Sequence, residues 1–176
     1  LMKKKNYINL AKRAADLQIQ ELKKIKKVFN KSFIQAVDLI LNCKGKVIFA
    51  GIGKSGIIAR KISATFSSVG IPSFFCDPAQ ALHGDMGQIE KKDILIIFSY
   101  SGNTSELANM LKYANRFRIK IIGVASKSES LLLKASDIKL LLPKVRESDL
   151  TGMVPTSSTS ITLLLGDCLA TTVMNK

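Results

Sequence analysis

Five short apolar runs, Lys46–Ala50, Ser73–Cys76, Ile94–Phe98, Lys120–Ala125 and Ile138–Leu142, alternate with stretches of helical period from Lys46 onward. Most are continuously apolar, the pattern of strands covered by helices on both faces of a parallel sheet. Between them Ile58, Ile62, Phe66 and Val69 trace one helix, and Leu107, Leu111, Ala114 and Phe117 another. A last helix is expected from near Thr156, with Ile161, Leu165, Cys168 and Thr172 on one side. Ser32 is the expected cap of an earlier helix carrying Phe33, Val37, Ile40 and Leu41. Two helices followed by alternating strand and helix predict an α/β fold with a doubly wound sheet. Ligands of such sheets bind beyond the carboxyl ends of the strands, so chemistry is to be sought in the loops that follow them.

A chain of 176 residues suffices for one domain with a real core. No apolar run reaches the roughly 18–20 residues of a spanning helix, and no secretory signal pattern is present. The expectation is a soluble, cytoplasmic domain. Cys43, Cys76 and Cys168 form no CxxC pair and His83 is the sole histidine, which argues against a zinc site. Buried free thiols in a reducing cytosol are expected instead.

The net charge of +14 raises the question of nucleic acid, and its distribution answers it. Ten basic residues against Asp16 and Glu21 give the segment Leu1–Lys31 a charge of +8. Ile8, Ala11, Ala15, Leu22, Ile25 and Phe29 recur there at helical spacing, which puts the lysines on the wet face of an amphipathic helix. No aromatic interleaving or nucleic-acid motif accompanies them, so neither nucleic acid nor a membrane is expected as a partner.

Three loops carry the residue types that hold phosphates. Gly51-Ile-Gly-Lys-Ser-Gly56 follows a strand and opens a helix, where free N–H groups attract anions and Lys54 adds a full charge. It also matches GxGxxG, with Asp77 placed as a ribose-binding acid would be, so a dinucleotide site is an alternative. A Walker A loop would need glycine where Ile48 stands. Ser99-Tyr-Ser-Gly-Asn-Thr-Ser-Glu106 sets five hydroxyls and a glycine at a second helix start, which suits a phosphate monoester and is not called for by a dinucleotide. Asn103 and Glu106 also approximate a capping box, leaving Glu106 either a cap or a functional carboxylate. Pro155-Thr-Ser-Ser-Thr-Ser160 precedes the last helix, where its hydroxyls cap the helix, line a pocket, or both. Glu147 stands in a charged loop with Arg146 and Asp149, and reads as a surface carboxylate on pattern alone. His83, in Ala81-Leu-His-Gly-Asp85, reads as structural or as a cleft residue.

Taken together, Gly51–Gly56, Ala81–Asp85, Ser99–Gly102 with Glu106, and Pro155–Thr159 stand in the order and spacing of sugar isomerase (SIS) domains. The chain resembles in particular the bacterial arabinose 5-phosphate isomerases, which make a precursor of the lipopolysaccharide sugar Kdo. The resemblance implies a three-layer α/β/α sandwich, flavodoxin-like, with a five-stranded parallel sheet. Residues 46–176 would be the SIS domain, and residues 2–45 N-terminal helices packed on it. It implies a homotetramer with sites near subunit contacts, and interconversion of D-ribulose 5-phosphate and D-arabinose 5-phosphate without cofactor. By motif position Lys54, Glu106 and Glu147 match catalytic residues, and His83 a substrate-site histidine. Gly53 and Ser55, the loop Ser99, Ser101, Gly102, Asn103, Thr104 and Ser105, and then Ser157 and Ser158 would bind substrate.

Two departures stand out. Such isomerases continue into a His-Pro-Gly-Gly segment and a pair of CBS domains, and this chain stops at Lys176, as an excised domain or a short family member would. Asp77 stands where relatives often carry a histidine associated with metal, so no metal is expected. Moving a carbonyl between C1 and C2 requires a base, and Glu106 or Glu147 would serve through a cis-enediol if a closed pocket raised its pKa toward neutrality. Lys54 would stabilise the enediolate, and His83 would polarise a sugar hydroxyl or help open the ring. A non-catalytic sugar-phosphate sensor with the same loops is the alternative to an isomerase.

Overall fold

The computed structural model describes residues 5–175. Residues 2–4 and 176 of the two expected segments lie outside the described residues. Helix α1 (Lys5–Leu22) runs into a 3-10 turn (Lys23–Val28) and then α2 (Lys31–Leu41). Strands and helices then alternate: β1 (Val47–Gly51), α3 (Lys54–Ser68), β2 (Ser73–Phe75), α4 (Pro78–Ala81), β3 (Ile94–Phe98), α5 (Leu107–Phe117), β4 (Lys120–Ala125), α6 (Leu131–Ala135), β5 (Ile138–Leu141) and α7 (Ser157–Met174). The five strands form one all-parallel sheet in the order β2-β1-β3-β4-β5, the flavodoxin-like order.

Alternation along each strand divides the core in two. Val47 and Phe49 face α2, α3 and α7, where Val37, Ile62, Phe66 and Leu165 are buried. Ile48 and Ala50 face α4, α5 and α6, with Leu107, Met110 and Leu133. Phe49 packs on Phe66 and Phe98 with ring centroids 4.9 and 6.3 Å away. Burying each such side chain contributes about 1.5–3 kcal/mol. At the amino edge the buried Asp93 accepts hydrogen bonds from the amides of Lys46 (2.7 Å) and Glu90 (2.8 Å), fixing where β1 and β3 begin. At the carboxyl edge β1 leads to α3 on one face and β3 to α5 on the other. Their loops part there, and the crevice between them is the topological switch point.

Several local expectations need correction. Asn30, not Ser32, caps α2: its Oδ1 accepts from the Ser32 amide at 2.9 Å. The periodic apolar face of the N-terminal segment is mostly uncovered. Ile25 is buried, but Ile8 is 62% and Phe29 42% exposed, while Gln18 of α1 bonds Ser160 of α7 at 3.2 Å. On α7 the buried line runs through Ile161, Leu165, Leu169 and Val173, one step away from Cys168 and Thr172. Of the three free thiols only Cys76 is buried, and burial pushes it up to about 11, with Asp85 and Asp77 adding to the shift. No helix among the described residues is long and apolar enough to cross a membrane.

Candidate active site

A cavity of about 360 Å³ opens at the switch point, lined by Lys54 and Ser55, by Tyr100 and Ser101, by Glu147, and by Pro155, Ser158, Thr159 and Thr162. Four separate stretches of chain thus meet there, and Ile52 and Ile58 supply its apolar wall.

The first stretch is the β1–α3 turn. α3 starts at Lys54 behind Gly53, which has φ of 59° and offers no side chain to cap the helix, so the first amides remain available to an anion. A Cβ on Gly56 would lie 2.6 Å from the Gly51 carbonyl oxygen, so only glycine lets the helix close this tightly onto the strand. Lys54, exposed at the first helical position, adds its ammonium to the cavity wall.

The second stretch follows β3. Much of its hydroxyl chemistry holds the loop itself together. Ser99 is buried, bonds Thr104 side chain to side chain at 2.8 Å, and accepts from the Gly102 amide at 3.1 Å. Gly102 takes φ of 69°, and a Cβ there would overlap the Ser130 hydroxyl. Asn103 caps a different helix from the expected one: its Oδ1 accepts from the Leu131 amide at the start of α6, 2.9 Å away. The capping box with Glu106 is therefore not formed. Glu106 is exposed, accepts from the Ser105 hydroxyl at 2.8 Å, and is held below its ordinary range by its own amide first and then by Ser105.

The third stretch is the strap after β5, which leads into the fourth, the start of α7. Glu147 Oε2 accepts from the Thr156 amide (2.8 Å), the Thr156 hydroxyl (3.0 Å) and the Ser158 amide (3.2 Å), and so caps α7 across the mouth of the cavity. Half-burial acts to raise its pKa, and the hydrogen bonds from Ser158 and Thr156 outweigh it, leaving the carboxyl below the ordinary carboxylate range. Neither Glu106 nor Glu147 has the pKa raised toward neutrality that a closed pocket was expected to give. Ser157 beside this cap is fully buried, and its hydroxyl has no hydrogen-bond partner among the described residues.

Two residues secure the strap in roles that their pattern does not show: Tyr100 counts there only as one of the loop hydroxyls, and Glu21 only as an acid among the lysines. The Tyr100 hydroxyl donates to the Pro143 carbonyl and accepts from the Val145 amide. Glu21, 1% exposed, accepts from both the amide and the guanidinium of Arg146 at 3.1 Å, and from Lys24. His83 and Glu106 are not among the cavity's lining residues; His83 is exposed in the turn after α4. Asp77 caps α4 through the Ala79 amide at 2.9 Å. Among the described residues no group of three His, Cys, Asp or Glu side chains is placed to hold a metal ion.

A family model described as SIS domain matches residues 40–172. An uncharacterized protein of Rickettsia prowazekii, RP505, is 42% identical over 96% of this chain and 52% of its own length. The arabinose 5-phosphate isomerase GutQ of Escherichia coli K12 is 40% identical over 95% of this chain and 52% of its own. The chain thus spans about half the length of the curated relatives it matches. A solved structure of Escherichia coli CFT073 c3406 in complex with arabinose 5-phosphate superposes with a TM-score of 0.94 at 33% identity, covering 99% of this chain and 93% of that one.

Proposed function

The chain belongs to the SIS domain family, and from that premise we propose that it is an isomerase interconverting D-ribulose 5-phosphate and D-arabinose 5-phosphate. One observation carries the reading. Among the described residues, Lys54 is the only cation on the cavity wall and Glu147 the only carboxylate, and the hydroxyls of Ser55, Ser101, Ser158 and Thr159 line the same space. The curated names of the relatives and the arabinose 5-phosphate complex of the solved neighbour support the substrate class.

In this reading the phosphate is gripped by the α3 amides and by hydroxyls of the β3–α5 loop. The grip positions C1 and C2 for reaction, and such positioning lowers the barrier. Glu147 is the base: ionised at neutral pH, it takes a proton from the carbon beside the carbonyl and returns it to the neighbouring carbon through a cis-enediol. Substrate that displaces water from its carboxylate would raise its pKa and sharpen it as a base. Lys54 stabilises negative charge on the enediolate oxygen. Proton transfer of this kind contributes roughly 10²–10⁴-fold to rate. Glu106, bonded by Ser105 and outside the cavity wall, is the alternative base, and His83 would polarise a sugar hydroxyl or help open the ring.

A homotetramer fits the uncovered apolar side chains: Tyr7, Ile8 and Ile19 on α1 are more than half exposed, and so are Leu150 and Met153 in the strap. A cytoplasmic place in the supply of Kdo for lipopolysaccharide follows from the same reading, with no cofactor required because the transfer is not redox.

One observation favours a second reading, a sensor that binds without turnover: the carboxylate of Glu147 is already engaged by three donors. Proton NMR of D-arabinose 5-phosphate with the protein in deuterated water separates the two. Ribulose 5-phosphate carrying deuterium at C1, with deuterium at C2 of the arabinose 5-phosphate that re-forms, is expected. Saturable binding with no exchange would replace the isomerase with the sensor.

A further inference from the structure

We propose that Glu21 is a positioning residue for Glu147: its buried carboxylate ties the N-terminal helical segment to the strap and thereby sets where the base stands. The proposal rests on the reading of Glu147 as that base.

Glu21 stands among the lysines of this segment, yet it is withdrawn from water, at 1% exposure. Burying a carboxylate costs several kcal/mol unless it is paired and hydrogen-bonded. Here burial pushes the carboxyl up, but Lys24 and the amide and guanidinium of Arg146 outweigh it, so that Glu21 stays ionised. An apolar side chain would fill the same space without that cost. What the carboxylate adds is direction.

It grips the backbone of Arg146 through the amide at 3.1 Å and the side chain through Nε at 3.1 Å, while Gln20 accepts from the same guanidinium at 3.4 Å. Lys24, bonded to Glu21, also donates to the Lys144 carbonyl at 3.4 Å. Glu147 is the next residue along. Its backbone is therefore fixed on one side by Glu21, and its carboxylate on the other by Thr156 and Ser158. Loosening the first tie lets the carboxylate drift from the reacting carbons, and a displacement of about 1 Å can cost roughly 100-fold in rate.

The test uses Glu21→Gln, a neutral isostere, and Lys24→Met, which frees the strap from the wet side. Each is measured in two ways: for isomerisation of D-arabinose 5-phosphate, and for amide hydrogen exchange. Glu21→Gln is expected to lower kcat about 10- to 100-fold with KM little changed. Exchange at the Thr156 and Ser158 amides should rise about tenfold while β3 and β4 keep their protection. Lys24→Met should move both readouts the same way and less. Full kcat in Glu21→Gln, or unchanged exchange at Thr156 and Ser158, overturns the proposal, as does a loss expressed in KM alone. If the unsubstituted protein does not turn over, the isomerase reading fails by itself, and the exchange at those two amides decides the tie.

Discussion

The Tyr100 hydroxyl is wedged between the Pro143 carbonyl, 3.2 Å away, and the Val145 amide, 2.9 Å away, so that the loop after β3 clasps the strap after β5 through one oxygen. Burial raises the pKa of that phenol, with the Val145 amide opposing the shift. It is a neutral donor and acceptor in the working pH range.

Tyr100→Phe removes the oxygen and leaves a half-buried amide and carbonyl unpaired, at a cost of about 1–3 kcal/mol. Urea unfolding should show a lower midpoint with an unchanged slope. An unchanged midpoint would mean that the clasp contributes nothing to stability.

Glu147→Gln keeps an oxygen that can accept from Thr156 and Ser158, so α7 stays capped, but it removes the base. Turnover should fall roughly 10²–10⁴-fold, with sugar-phosphate affinity retained in a calorimetric titration. Glu106→Gln, altering an exposed carboxylate outside the cavity wall, should cost less than the Glu147 change. The reverse ranking would move the base to Glu106.

Gly102→Ala places a side chain on a left-handed backbone and against Ser130. The backbone term alone costs about 1–3 kcal/mol. Because Gly102 also accepts from the Leu132 amide at 2.9 Å, α6 should loosen with it. A thermal melt indistinguishable from that of the unsubstituted protein would contradict this.

Acid should weaken the strap. Hydrogen bonds, that of Thr151 first and then those of Val154 and Met153, hold Asp149 down at about 2 against an ordinary 3.8. A depressed folded pKa means that the contribution is present above the ordinary value and is lost as pH falls through about 2. Glu147 is depressed as well, burial opposing and its donors prevailing, so its contribution has the same sign. Carbon-detected NMR titration of Asp149 should give a midpoint near 2; a midpoint at the ordinary value would remove the loop's acid dependence.

The sheet was legible because Ile94–Phe98 and Lys120–Ala125 are apolar almost without interruption, and only a strand with both faces covered needs that. Strand ends moved by a residue, as at Val47–Gly51, because hydrogen bonding and not composition decides them. The glycine and hydroxyl loops were legible as phosphate chemistry, and Lys54, Ser55, Ser101, Glu147 and Ser158 do meet in one cavity. The ties were not legible. Glu21 amid lysines has the pattern of a solvated helix face, and nothing in its spacing points to Arg146. Asn103 was misplaced because a cap is recognised by local spacing, whereas its partner, Leu131, belongs to another helix. The apolar period of α1 is real, but this chain alone does not cover it.

The Glu21–Arg146 tie joins positions 125 residues apart. As the chain is made, the N-terminal segment must wait through all five strands before the residue it will hold exists. Contacts of such separation pay their loop-closure entropy late and reward it last. Competence to turn over sugar should therefore trail the burial of the core during refolding, arriving only when the strap has docked.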